Sequence, residues 1–202
     1  MKKVLSQTEA SFREKGSKFI GHLFPVDTKS AFEAELDQLK SQYPDANHHC
    51  YAWRMNPANI EKFAQDDGEP SGTAGLPILN QLKSFEVANA GLVVIRYYGG
   101  TNLGKSGLIK AYGGIAEACL QKALLQPLQL IWEVKIAYPY SEQNTIDQIM
   151  HQFDLKELWS SYAENVTLIL GCPLEHKQQL NNRLKQLKHR GTKAEFLQKG
   201  YL

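Results

Sequence analysis

The run LVVIRYYGGTNLGKSGLIKAYGG, residues 92–114, limits the fold more than any other stretch of the chain. An apolar segment, Leu92 to Ile95, enters a turn carrying Gly99, Gly100, Gly104 and Gly107, and a helical pattern with Leu108, Ile109 and Ala111 follows. Strand, glycine turn and helix in that order call for a mixed α and β protein. Gly99 to Ser106 also matches G-x-x-x-x-G-K-[S/T], the loop that cradles phosphates in many nucleotide hydrolases. Its surroundings argue against a magnesium-nucleotide site. The strand ends in the bulky Arg96, Tyr97 and Tyr98, no second strand ends in an aspartate for the magnesium shell, and too few βα units accompany it for a parallel sheet. A weaker reading stands: N–H groups at a helix start beside Lys105 and Lys110 form an anion site, such as one for an RNA phosphate.

The periodicity of the rest divides the chain near Pro127. Before it, a strand from Lys18 to Val26, a helix through Ala31, Phe32, Leu36 and Leu39, and strands at His49 to Met55 and Ile60 to Ala64 are expected. A helix at about Pro77 to Phe85, the strand from Leu92 and a helix at about Ser106 to Leu125 complete the order βαββαβα. After Pro127, alternation through Leu130, Trp132, Val134, Ile136 and Tyr138 marks a half-buried strand. A helix capped by Ser141, a hairpin over 155–162 and 166–170, a helix over 174–189 and a strand over 194–197 follow. That order, βαββαβ, is the split βαβ arrangement of ferredoxin-like domains. The expectation is α+β, with domains over 1–127 and 128–202.

Charge excludes little beyond a uniformly basic surface. The net charge is +2, spread evenly over both halves, so any nucleic-acid patch must be local. Cys50, Cys119 and Cys172 are odd in number and far apart, which fits reduced thiols in a cytoplasmic protein better than a disulfide framework. MKKVLSQTEASF lacks the apolar core of a signal peptide, and no stretch approaches the roughly 20 apolar residues of a membrane-spanning helix, so no membrane partner is expected.

The loop DDGEPSGTAG, residues 66–75, crowds Asp66, Asp67 and Glu69 together before small residues. Such carboxylates repel one another, which is tolerable in a solvated loop or beside a cation. Ser71 or Thr73 acting as a helix cap competes with a ligand-facing role. His48, His49 and Cys50 are metal-binding types, yet neighbours on a strand point to opposite faces, so no metal site is assigned and the histidines stand as candidate contacts. Ser71 and Ser106 lack the G-x-S-x-G elbow of a nucleophile. Arg96, Tyr97, Tyr98, Lys105, Lys110 and Tyr112 interleave cations with aromatics, as surfaces for single-stranded nucleic acid do; strand alternation puts one of Tyr97 and Tyr98 inside. The cations of the last helix, from Lys177 to Arg190, gather near its end, where they suit the helix dipole.

HHCYAWR (48–54), DDGEPSGTAGLPIL (66–79) and VVIRYYGGTNLGKSGLIKAYG (93–113) closely resemble the IMPACT family, and the whole chain resembles its bacterial YigZ-type members. The resemblance implies a first domain similar to the ribosomal protein S-five domain-two fold, and a second similar to a ferredoxin-like domain of elongation factor G. It also implies a translation-associated binding or regulatory protein, contacting RNA, the ribosome or a translation factor; no cofactor is expected from the residues. Eukaryotic members carry an extra interaction domain, so their specific regulatory role does not transfer. Where the family usually has glycine this chain has Ser106, and Lys105 lies outside the family's fixed pattern. The anion-site residues on this reading are Arg96, Tyr98, Gly99, Gly100, Gly104, Gly107, Lys110 and Tyr112, opposite an acidic loop of Asp66, Asp67, Glu69, Ser71 and Thr73. The rival expectation is a hydrolase of a phosphate-containing substrate, its carboxylates holding a cation between the two loops.

Overall fold

A computed structural model describes residues 1–201, and its chain divides into two compact units, Met1–Pro127 and Leu128–Leu202. The first unit is built on a five-stranded antiparallel sheet. Its strands are β2 (Thr8–Glu14), β3 (Ser17–Pro25), β4 (His48–Met55), β5 (Glu61–Gln65) and β6 (Ala90–Tyr97), in the spatial order β2-β3-β6-β4-β5. A short ribbon of β1 (Lys2–Val4) and β7 (Leu125–Pro127) ties the two ends of the unit together. Helix α1 (Lys29–Gln42) covers one face of the sheet, with Phe32, Leu36 and Leu39 against Ile20, Phe24, Trp53, Val93 and Ile95. Helices α2 (Gly75–Ser84) and α3 (Gly104–Lys122) cover the other, where Ile78, Leu82, Tyr112 and Ile115 meet Phe19, Leu23, Ala52 and Val94. Because both faces are buried, the central β6 reads as a continuous apolar run without alternation.

From β3 to α3 the unit carries the expected βαββαβα series. The strand β2 in front of it was not expected, nor were β1 and β7. TEASFRE is polar, and an edge strand buries only Ala10 fully, so its alternation is faint. α3 also begins two residues before Ser106 and α2 two before Pro77.

The second unit is ferredoxin-like. β8 (Leu130–Tyr138), α4 (Gln143–Gln152), β9 (Lys156–Tyr162), β10 (Val166–Pro173), α5 (Lys177–Gln186) and β11 (Lys193–Tyr201) follow in chain order. The sheet runs β11-β8-β10-β9, all antiparallel. Val134, Ile136 and Leu168 bury against Ile146, Ile149, Leu180 and Leu184 of the two helices. Ser141 is not the cap expected of it: it lies inside a single 3-10 turn, Tyr140–Glu142, and α4 starts with no side-chain cap.

Candidate functional site

The acidic loop is shaped by its own carboxylates. Asp67 and Gly68 turn the chain with φ of 46° and 87°, and Asp66 then lies under the loop's return. One Asp66 oxygen accepts from the N–H groups of Ala74 and Gly75 at 3.0 and 2.9 Å, and the other from Gly72 at 2.8 Å. These are the open amides at the start of α2, so Asp66 caps that helix from eight residues upstream. The expected caps do otherwise: Thr73 is buried and donates to the Pro70 carbonyl at 2.6 Å, and Ser71 faces solvent. Asp67 accepts from the His49 N–H at 2.6 Å. Both aspartates thus serve backbone amides, and among the described residues no group of three His, Cys, Asp or Glu is placed to hold a metal ion.

Glu69 is the acid that reaches the site. Its carboxylate is 4% exposed, and a single oxygen, Oε1, accepts from the Arg96 guanidinium and, at 2.7 Å, from the Tyr112 hydroxyl. A buried carboxylate survives there because Arg96 neutralises it. Arg96 is held in turn: it lies 5.4 Å from the ring centroids of both Phe19 and Tyr98, and donates to Ser17 Oγ at 3.3 Å. Arg96 is therefore a paired cation and not the free phosphate clamp expected of it. Tyr112 is also corrected: its ring is fully buried, where no base can stack, and burial drives its hydroxyl pKa up. The Cys50 sulfur lies 2.9 Å from the Asp66 carbonyl and 3.3 Å from that hydroxyl, alternative acceptors for its one S–H; burial pushes the thiol up, so it is a neutral donor and no nucleophile.

Strand alternation separates the histidines as expected. His48 is on the α2/α3 side, with Nδ1 2.8 Å from the Asp67 carbonyl, as donor, and Nε2 3.8 Å from Glu69 Oε1. His49 is 8% exposed, and its Nε2 is buried with no partner. Burial lowers the pKa of His49 from 6.5, against the opposing pull of Asp67. It is not a contact in the cavity.

The glycine loop meets the acidic loop across one open cavity of about 440 Å³, lined on one side by His48, Glu69 and Pro70 and on the other by Asn102, Leu103, Gly104 and Lys105, with Arg96, Tyr98 and Leu108 completing it. Gly99 makes this possible by close approach: a Cβ there would stand 1.9 Å from the backbone carbon of Gly16, so only glycine lets the loop lie on the β2–β3 turn. Its N–H donates to Ser17 Oγ at 3.2 Å. Gly100 and Gly104 have φ of 83° and 71°, and α3 begins with no side-chain cap, leaving its first amides open. Tyr98 is 45% exposed and is set by Asn47, which accepts from its N–H, and by Asn102, which accepts from its hydroxyl. Tyr97 is the inward member of the pair.

Two expectations shift within the glycine loop. Gly107 and Lys110 face a separate cavity of about 240 Å³, beside Phe12, Glu14 and Lys15. Lys105, which lies outside the family's fixed pattern, lines the main cavity. Ser17, Asn47 and Asn102 carry no sequence signal, because each acts only on a partner far along the chain or within an irregular loop, where no periodicity points to it.

The phosphate-loop match loses its context: β6 is flanked by antiparallel neighbours, whereas nucleotide loops of that kind sit on parallel sheets. Among the described residues no helix is long and apolar enough to cross a membrane.

Comparison with known proteins accords with the motifs. The Impact N-terminal domain family matches residues 15–120, and a domain of unknown function (DUF1949) matches 136–187. The chain is 37% identical over 161 residues to the IMPACT family member YigZ of Escherichia coli, covering 79% of each chain. It is 33% identical over 96 residues to human Protein IMPACT, covering 45% of this chain and 29% of that one. A solved structure titled as that of a hypothetical protein superposes with a TM-score of 0.70 at 31% identity, covering 98% of this chain and 97% of the other. The chain belongs to the IMPACT family.

Proposed function

We propose that this chain is a translation-associated binding protein whose first unit grips an RNA backbone phosphate in the cavity between the acidic and glycine loops. The observation that carries this reading is the charge balance of that cavity. Lys105, Arg96 and His48 line it, the open amino end of the 19-residue α3 borders it, and its single acid, Glu69, is already neutralised by Arg96. Lys105 and the helix amides are left to meet an anion. Tyr98, exposed at the rim and stacked on Arg96, offers a face to an unpaired base beside that phosphate. The place in translation rests on the family resemblance, and the role of RNA over a protein partner rests on the pairing of cation with exposed aromatic.

A hydrolase with a carboxylate-held cation has less support, since Asp66 and Asp67 hold backbone amides and Glu69 holds Arg96 and Tyr112. The test is titration of a labelled single-stranded RNA with the full chain at low ionic strength. Saturable association is expected, and its absence would remove the reading.

A further inference from the structure

The motif HHCYAWR turns His48 and Cys50 toward the face covered by α2 and α3, and Tyr51 and Trp53 toward the opposite face of the sheet. There another cavity, of about 290 Å³, is lined by Lys29, Phe32, Glu33, Tyr51, Trp53 and Phe63. Its aromatics are close: ring centroids of Trp53 and Phe63 are 5.9 Å apart and stacked, those of Tyr51 and Phe63 6.1 Å, and those of Phe32 and Tyr51 5.1 Å. Phe63 is 45% exposed, on an edge strand where a polar residue would cost less.

Three observations say what this surface takes. First, it already holds a cation: Lys29 Nζ lies 5.5 Å from the Trp53 ring centroid, and its side chain is 62% exposed, so it is loosely held. Second, the acids at the mouth outnumber the cations. Lys29 pairs with Glu61 at 3.3 Å, and Glu33 has no ion pair among the described residues. Third, β5 closes the sheet on this side, so its outer backbone edge is open beside the pocket.

We propose that the pocket and the free edge of β5 together bind an extended basic segment of another protein. An arginine or lysine side chain lies over the Trp53 ring, in the place Lys29 now takes, and beside the exposed Phe63, while the segment's backbone pairs with β5. A guanidinium suits this surface best, because its plane stacks on a ring face and its donors can meet Glu33 in the same cavity. Nucleic acid is disfavoured here, since Glu33 and Glu61 would face its phosphates.

The experiment uses a fluorescein-labelled peptide, Thr-Val-Arg-Val-Thr, titrated with the full chain and followed by anisotropy, beside the same peptide with neutral citrulline for arginine. The arginine peptide is expected to bind at least about threefold more tightly than the citrulline peptide. Phe63→Ala and Glu33→Gln each weaken it, by about threefold to thirtyfold for the aromatic. Lys29→Gln tightens it, because the resident cation is gone; a purely structural cluster would give no such gain. All three side chains are exposed, so these variants retain the fold. Equal binding of the two peptides, no binding up to millimolar concentration, or an unchanged affinity in Lys29→Gln overturns the proposal. So does an oligouridylate whose binding, and not the peptide's, depends on Phe63.

Discussion

Glu69 and Arg96 form a buried pair whose worth lies in mutual neutralisation. Removing one charge strands the other inside the protein, whereas replacing both with apolar groups of similar volume does not. Glu69→Ala is therefore expected to cost about 3–5 kcal/mol in urea unfolding, and Glu69→Leu with Arg96→Met to recover most of that loss. Equal losses in the single and double variants would show that the pair is not coupled. His49 gives a second residue-scale expectation. Its folded pKa lies below 6.5, because burial disfavours the charged ring, so the unfolded chain takes up a proton that the folded one refuses. Its contribution is fully present above about 6.5 and falls as the pH drops below that value, until the folded ring itself protonates. Urea midpoints at pH 7 and pH 5 should differ less for His49→Gln than for the unmutated chain. An equal drop in both would assign the acid sensitivity elsewhere, for instance to His22, which burial also lowers.

At the scale of elements, α2 depends on a residue outside it. Asp66 supplies the cap that Ala74, its N-cap residue, lacks, through charge-assisted bonds to three amides. Asp66→Ala should cost about 2–3 kcal/mol, measured as a shift of the urea midpoint, because the amides it serves lose their acceptor. A loss no greater than that of a surface substitution would mean that water replaces it. This cap explains where sequence reading reached its limit. The strand and helix of residues 92–114 were legible because an apolar run and a helical period are local signals. The use of Asp66 was not, since capping rules look one to three residues ahead and this contact spans eight. The same holds for β2, whose partner strand supplies the evidence that its own polar sequence withholds, and for the assignment of Lys105 and Lys110 to different cavities, which turns on the side of Leu103 each one takes.

The whole molecule is two separately cored units, and the break in periodicity at 126–128 lies at their junction. Within Met1–Pro127, β1 pairs with β7, so both ends of the unit are fastened to each other. A fragment of residues 1–127 is expected to unfold cooperatively on heating, followed by circular dichroism, and to keep RNA affinity within about threefold of the full chain if the first unit holds the phosphate site. A fragment with no cooperative transition would show that the unit needs the rest of the chain. The phosphate site itself is tested most directly by the salt dependence of RNA binding in three proteins: unmutated, Lys105→Ala and Lys110→Ala. The expected result is an affinity that falls linearly in log–log form with salt, a weaker affinity and a slope reduced by about one in Lys105→Ala, and little change in Lys110→Ala, which faces the other cavity. No RNA association at low salt, or a Lys105→Ala protein that binds like the unmutated chain, would contradict it.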